Sequence, residues 1–375
     1  MKKKITKASD KRRSQYIRVL LQKDSKELNF CVLGAGHGGL AMAGHLALNG
    51  FRVNLYNRGR KRIRTVIQRK GIKVEGEVKG FGKIEFASNN IKECLKETDI
   101  LMVVVPAVAH RFIAQTCAPY LKEHQIVVLN PGRTGGVLEF YNVLKEHGIK
   151  RFPFIAEAQT FLYASRALGP AHAKIFSIKN TVPLATLPAY WIPGVLKVVN
   201  RAFPQFIPGD NIFKTSFENI GAVFHPALTI LNAGWIEETH GDFEYYVQGA
   251  SESIAQVLEK LDKERLEVAA ALGIKVMSAK RKVYGVNVDD QQCLISVCQS
   301  VLGDHRSLGR TKPGLYAHKV ALRQRLCGAN GHNSCQRMPC AIAWRKGVIL
   351  VGGQQAPGIR FERSFLQDDQ VGIAL

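Results

Sequence analysis

The chain has 375 residues, 46% of them apolar, and a formal net charge of +23. That length and apolar content leave room for two domains with sizeable cores and exclude a wholly disordered protein. No uninterrupted apolar run is long enough to cross a bilayer, and the basic N-terminus lacks the apolar stretch of a signal peptide, so a cytoplasmic location with no membrane partner is expected.

The charge is unevenly spread. Residues 1–29 hold ten basic and three acidic residues, so residues 1–28 read as a basic N-terminal extension. No aromatic-interleaved basic module or zinc-finger spacing accompanies it, which argues for small anionic ligands and against nucleic acid.

The stretch "NFCVLGAGHGGLAMAGHLALNGFRVNLYNRGRKR" then predicts a buried strand from Phe30 to Leu33, a glycine-rich turn, a helix and a second strand from Arg52 to Tyr56. Gly34, Gly36 and Gly39 fit G-x-G-x-x-G in the strand–turn–helix setting that gives the motif its meaning. Gly34 permits the tight turn, Gly36 lets backbone approach a pyrophosphate, and Gly39 lets helix pack on strand. His37 and Gly38 complete the loop. An acid ending the second strand would select NAD(H) through its ribose hydroxyls, but Asn57 and Arg58 stand there. An amide followed by guanidinium groups suits a 2′-phosphate, so NADP(H) is the preferred cofactor and NAD(H) the lesser one.

Three further apolar runs follow. "ILMVVVPAVAH" stops as a strand at Pro106, "IVVLNPGRTGG" opens into a Gly/Arg/Thr loop, and "FPFIAEAQTFLYASR" continues into polar and aromatic residues. Such alternation of Val/Ile-rich strands with helices predicts a Rossmann-type doubly wound parallel sheet over residues 29–205. Ligands of such sheets lie at the strands' carboxyl ends, where Pro106, Asn130, Arg133, Thr134, Glu157, Gln159 and Thr160 fall. Pro106 is a cofactor candidate; Asn130, Arg133, Thr134, Gln159 and Thr160 are substrate candidates. A strand in "TVPLATLPA" and a helix from Ile192 to Ala202 lead to a Pro/Gly-rich link, "FPQFIPGDN", and then an all-α domain over 206–285.

That domain opens with "NIGAVFHPALTILNAG", read as one amphipathic helix. Ile220, Val223, Phe224, Ala227, Ile230 and Leu231 form its apolar stripe, and Pro226 is expected to bend it. His225 stands one step off the stripe, either as a core histidine or as a titrating group facing a cleft. In "SESIAQVLEKLDKERLEVAAALGI", Ile254, Val257, Leu258, Leu261, Leu266 and Ala269 predict a second buried helix face.

The glycine-loop segment, "NPGRTGG", "EAQTFLYASR" and above all "NIGAVFHPALTILNAG" together resemble the opine dehydrogenases of octopine and nopaline type, over roughly residues 29–285. The resemblance implies that a helical domain closes over the Rossmann domain. It implies that an amino acid and a 2-oxo acid condense and that hydride from NAD(P)H reduces the product. It places the catalytic histidine at His225, with Asn219 and Asn232 as candidates to orient it or the substrate, and it is compatible with a homodimer. A glycerol-3-phosphate or ketopantoate-type dehydrogenase, and a nucleotide-binding protein without turnover, are the alternatives.

Beyond about Val286 the sequence is expected to leave the family. Five of the eight cysteines crowd this end. Cys327, His332, Cys335 and Cys340 are spaced C-x4-H-x2-C-x4-C, unlike common structural zinc sites, so no metal is expected. With suitable synonymous codons, the next reading frame of "CGANGHNSCQRMPCA" gives an amphipathic helical segment, and residues 286–375 read as a largely frame-shifted tail.

Overall fold

The computed structural model describes residues 2–284, 344–345 and 348–349. The Cys/His quartet expected from sequence lies outside these residues, as does the expected frame-shifted tail apart from residues 344–345 and 348–349.

The chain starts with α1 (Lys2–Gln22) and then alternates: β1 (Asn29–Leu33), α2 (His37–Leu48), β2 (Arg52–Tyr56) and α3 (Arg60–Arg69). Next come β3 (Gly71–Gly76), β4 (Gly80–Lys83), β5 (Phe86–Ser88), α4 (Ile91–Cys94), β6 (Ile100–Val103), α5 (His110–Cys117), β7 (Ile126–Leu129), α6 (Gly136–Glu146) and β8 (Phe154–Ala158). The rest of this half is β9 (Tyr163–Gly169), β10 (His172–Ile178), β11 (Val182–Leu187), α7 (Ile192–Val199) and β12 (Phe206–Pro208). The main sheet has the order β12-β11-β8-β7-β6-β1-β2-β5. From β5 to β8 every pairing is parallel. Strands β6 and β7, ILMV and IVVL, are buried at every position, as central strands covered on both faces must be.

The sheet is mixed rather than wholly parallel. Strand β11 runs antiparallel to β8, and β12 parallel to β11. A second sheet, ordered β4-β3-β10-β9, had no counterpart in the sequence reading. It covers the outer face of α2, which explains why that helix, HGGLAMAGHLAL, has no polar side: all residues from Gly39 to Leu46 are buried. The packing is close enough that a Cβ on Gly44 would lie 2.4 Å from Val74 Cγ2.

The basic N-terminal stretch is docked rather than loose. Ile17 and Leu20 of α1 are buried in the main core. The Arg201 guanidinium donates to Leu20 O at 3.0 Å, Lys23 O at 2.6 Å and Ser25 Oγ at 3.0 Å. Lys23 pairs with Asp99 at 2.7 Å.

The helical half comprises α8 (Ile212–Phe217), α9 (Gly221–Leu231), α10 (Ala233–Glu238), α11 (Glu252–Ala271) and α12 (Ala279–Tyr284). The stretch expected as a single helix from 219 to 234 is therefore two. Asn232 leaves helical geometry at φ −106° and ψ 16°, and its amide donates to Leu228 O and Gly249 O, both at 2.8 Å. The stripe stops short with it: Val223, Phe224, Ala227 and Leu228 are buried, whereas Ile230 and Leu231 are 51% and 47% exposed. On α11 the buried face includes Ile254 and Leu258, while Val257 is 39% exposed. It also includes Asp262 and Arg265, which periodicity assigns to solvent. Arg265 donates to Asp262 Oδ1 at 2.8 Å, Phe217 O at 2.7 Å and Met277 O at 2.6 Å, so one buried ion pair fastens α11 to the end of α8.

Candidate active site

The dinucleotide end is built on β1 and α2. Gly34 has φ +113°, and a Cβ there would lie 2.5 Å from Val104 O. A Cβ on Gly39 would lie 1.7 Å from Gly34 O, so helix and turn meet only because both residues are glycine. Among the described residues a Cβ on Gly36 would meet nothing within 4 Å, and no side chain caps the start of α2. Its first N–H groups therefore remain for an anion, and the residues present fit a dinucleotide's pyrophosphate. His37 Nδ1 accepts from Ala167 N at 2.9 Å, tying this loop to β9, and Gly38 leaves room for the ring of Phe161.

Asn57 shapes this end. Its Oδ1 accepts from Ala35 N at 3.0 Å and its Nδ2 donates to Gly59 O at 2.8 Å. Arg58 is exposed with its guanidinium 5.3 Å from the Phe112 ring centroid. An open pocket on α3 is lined by Arg60, Lys61, Arg64, Ile67 and Gln68. Pro106 is exposed just past the end of β6.

The second cluster forms where the β7 loop meets α8 and α9. Arg133 takes φ +64°, uncommon for a non-glycine residue, and is exposed. No carboxylate pairs with it among the described residues. Thr134 Oγ1 accepts from Asn219 Nδ2 at 3.2 Å, and Gly135 N donates to Ser216 Oγ at 3.0 Å. A Cβ on Gly221 would lie 3.3 Å from His225 Nε2 and 3.4 Å from Asn219 Oδ1, so glycine leaves both groups room around one point. The Tyr246 hydroxyl lies 3.0 Å from His225 Nδ1. Desolvation first, and the Arg133 charge second, lower the His225 imidazole to about 4. His110 is likewise lowered to about 4 by burial and then by Arg133.

Not every expected residue joins this cluster. Thr134, Asn219, Arg133 and His225 come together. Gln159 is buried with its amide donating to Glu218 O at 3.0 Å, so it fastens β8 to α8. Thr160 lies half-buried beside it. Asn130 is fully buried at the end of β7, and neither its Oδ1 nor its Nδ2 has a partner among the described residues. Asn232 spends its amide at the α9–α10 junction. Sequence reasoning did not single out Tyr246 or Ser216, and it placed Glu157 at the ligand end of the sheet without giving it a role. Tyr246 lies 21 residues from His225, and no local pattern marks that pairing.

Residues 208–312 match the family described as NAD/NADP octopine/nopaline dehydrogenase, alpha-helical domain. That match runs past Val286, where the resemblance was expected to stop. An opine dehydrogenase of Arthrobacter sp. (strain 1C) is 35% identical over 250 residues, covering 66% of this chain and 69% of that protein. The chain belongs to the opine dehydrogenase family. It is an NAD(P)-dependent dehydrogenase with a Rossmann-type domain followed by a helical one.

Its fold is shared by octopine dehydrogenase solved with NADH and L-arginine, at 16% identity and a TM-score of 0.59 over 74% of each chain. Yersinopine dehydrogenase with NADP+ bound gives 16% identity and a TM-score of 0.60 over 80% of this chain and 77% of that one. The alternatives match less. The ketopantoate reductase PanE/ApbA family covers residues 30–132, within the Rossmann half. A glycerol-3-phosphate dehydrogenase of Carboxydothermus hydrogenoformans is 27% identical over 46% of this chain and 48% of its own. No described helix is long and apolar enough to cross a membrane.

Proposed function

We propose that this enzyme condenses an amino acid with a 2-oxo acid and reduces the product to a secondary-amine dicarboxylate, and catalyses the reverse oxidation, with NADP(H) preferred over NAD(H). The observation that carries the reading is the meeting of an exposed Arg133, unpaired with any carboxylate among the described residues, with His225 where the β7 loop faces α9. The 35% identity to an opine dehydrogenase supports the same reaction class.

The chemistry the bound nicotinamide supplies is hydride transfer to or from the carbon that bears nitrogen. Arg133 pairs with a substrate carboxylate, with the planar match that guanidinium and carboxylate permit. Asn219 and Thr134, already bonded to each other, flank that position. His225 handles the proton. At neutral pH its imidazole is uncharged. In the tautomer whose Nδ1–H donates to Tyr246 Oη, Nε2 carries the lone pair and accepts the amine proton during oxidation. A carboxylate on Arg133 offsets that residue's positive charge, which removes the smaller of the two causes that lower the His225 pKa and favours a proton on the ring in the reductive direction, while desolvation still holds the value below the ordinary one. NADP(H) preference is supported by the absence of an acid after β2 and by the exposed Arg58, Arg60, Lys61 and Arg64.

The test is turnover of NADPH with pyruvate and a panel of amino acids. His225→Ala should lower kcat by about 10²–10⁴-fold, with NADPH affinity nearly unchanged. His225→Asn should do no better, because an amide does not titrate. Full activity with an unchanged pH profile in either variant would make His225 a packing residue.

A further inference from the structure

Glu157 is buried beneath both halves of the candidate site, 1% exposed on β8. Its Oε2 accepts from Val137 N at 3.1 Å, capping the start of α6 directly after the loop that bears Arg133 and Thr134. Its Oε1 accepts from Thr215 Oγ1 at 2.5 Å and from Ser216 Oγ at 3.4 Å, on the helix that leads into Asn219 and His225. The contact is tight on the loop side: a Cβ on Gly132 would lie 2.5 Å from Glu157 Cβ and from Oε2. Ser216 closes the circuit by accepting from Gly135 N at 3.0 Å.

We infer that Glu157 is a positioning residue, a single carboxylate that sets the carboxylate-binding loop of Arg133 at a fixed distance from the segment bearing Asn219 and His225. This rests on the reading of Arg133 and His225 given above. The loop, β8 and α8 are three separate pieces of chain, and no backbone ladder joins the loop to α8. One carboxylate with two oxygens bonds both. The placement costs solvation, and desolvation raises the Glu157 carboxyl to about 7 despite the bonds from Thr215, Val137 and Ser216. A merely structural tie between strand and helix is already supplied nearby, where Gln159 bonds Glu218 O at 3.0 Å. What Glu157 adds is the connection to Val137 and hence to Arg133.

The ionised and neutral forms hold the circuit differently. Thr215 Oγ1 also lies 3.0 Å from Ile212 O. Its one proton goes to the carboxylate when Glu157 is ionised, and to Ile212 O when Glu157 itself donates. Either way the strand and helix remain bonded, so an amide at this position preserves most of the arrangement, whereas an alanine removes every bond made by the carboxylate and leaves Gly135 N–Ser216 Oγ and Asn219–Thr134 as the ties between loop and helical segment.

Binding is the discriminating readout, measured on the full chain with pyruvate titrated into the NADP+ complex, where no turnover occurs. Glu157→Ala should weaken pyruvate by about tenfold or more and leave NADP+ affinity within about twofold, since the glycine loop is untouched. Glu157→Gln should restore most of the pyruvate affinity. Thr215→Val, which removes the shorter of the two α8 bonds to Glu157 and leaves the longer one from Ser216, should also weaken pyruvate selectively and replaces the alanine variant if that one does not fold. Unchanged pyruvate affinity in Glu157→Ala or Thr215→Val, or parallel loss of pyruvate and NADP+, would overturn the assignment. Wild-type protein that binds pyruvate but turns over no amino acid would instead sink the opine reading, and the pyruvate comparison would still stand.

Discussion

The histidines at this site differ in what the sequence discloses about them. His225 sits in a motif whose resemblance is specific, and so the sequence already singles it out for the role proposed above. His110 stands in an unremarkable stretch, yet it is 1% exposed with no partner for Nε2 among the described residues. Its pKa, lowered to about 4 by burial and then by Arg133, makes it a stability group. The folded state disfavours its charged form, so its contribution is full above the ordinary histidine pKa and is lost as pH falls toward 4. A depression from 6.5 to about 4 corresponds to roughly 3 kcal/mol as an upper limit. Glu157 acts with the opposite sign. Its carboxyl, raised to about 7, contributes fully below the ordinary carboxylate range, and that contribution is lost as pH rises through 7. The two overlap in wild-type protein. A His110→Gln variant separates them: its unfolding free energy, measured by urea denaturation from pH 7 down to 4, should fall less steeply than that of the wild type. Parallel curves would mean His110 is not buried neutral. Such groups escape sequence reading because their environment is made by residues far apart in the chain, here Gly136 and Arg133 around His110.

At the level of elements, short apolar runs made β1, β6, β7 and β8 legible, and the loop after β7 announced itself by its Gly, Arg and Thr. The second sheet did not. Strands β3, β4, β9 and β10 are short or half-exposed, with glycines at Gly71, Gly76, Gly80 and Gly82, and β9 follows β8 after only four residues. The evidence for a covering layer was present in another form, because an α2 without a polar face needs apolar neighbours on both sides. Gly44 marks where the layers touch. Gly44→Ala inserts a methyl into contact with Val74 Cγ2, and the overpacking should cost about 1–3 kcal/mol. That cost outweighs the better helix propensity of alanine, about 1 kcal/mol in the opposite direction. Thermal unfolding should show a lowered midpoint. A raised midpoint would show that the second sheet yields at this contact.

At the scale of the whole molecule, the order of the two parts and the strand-end location of the site follow from sequence pattern, while the distance between Arg133 and His225 depends on how α8 and α9 meet the sheet. Charge is the property that acts at this scale. The chain carries +23, and α3 with its flanks, from Arg58 to Lys70, contains basic but no acidic residues. A helix whose first turn is cationic works against its own dipole, so an anion near that turn relieves the strain. In the proposed binding mode NADPH brings a 2′-phosphate there and NADH does not. The advantage of NADPH over NADH should therefore be electrostatic and should shrink as salt shortens the Debye length from about 10 Å at 0.1 M to about 3 Å at 1 M. Arg58→Ala should weaken NADPH selectively and flatten its salt dependence, while NADH affinity stays near the wild-type value. Fluorescence titrations of both cofactors at several ionic strengths decide the matter. Equal dissociation constants for NADPH and NADH at low salt would mean that the basic helix does not read the phosphate and that cofactor choice is made elsewhere in the fold.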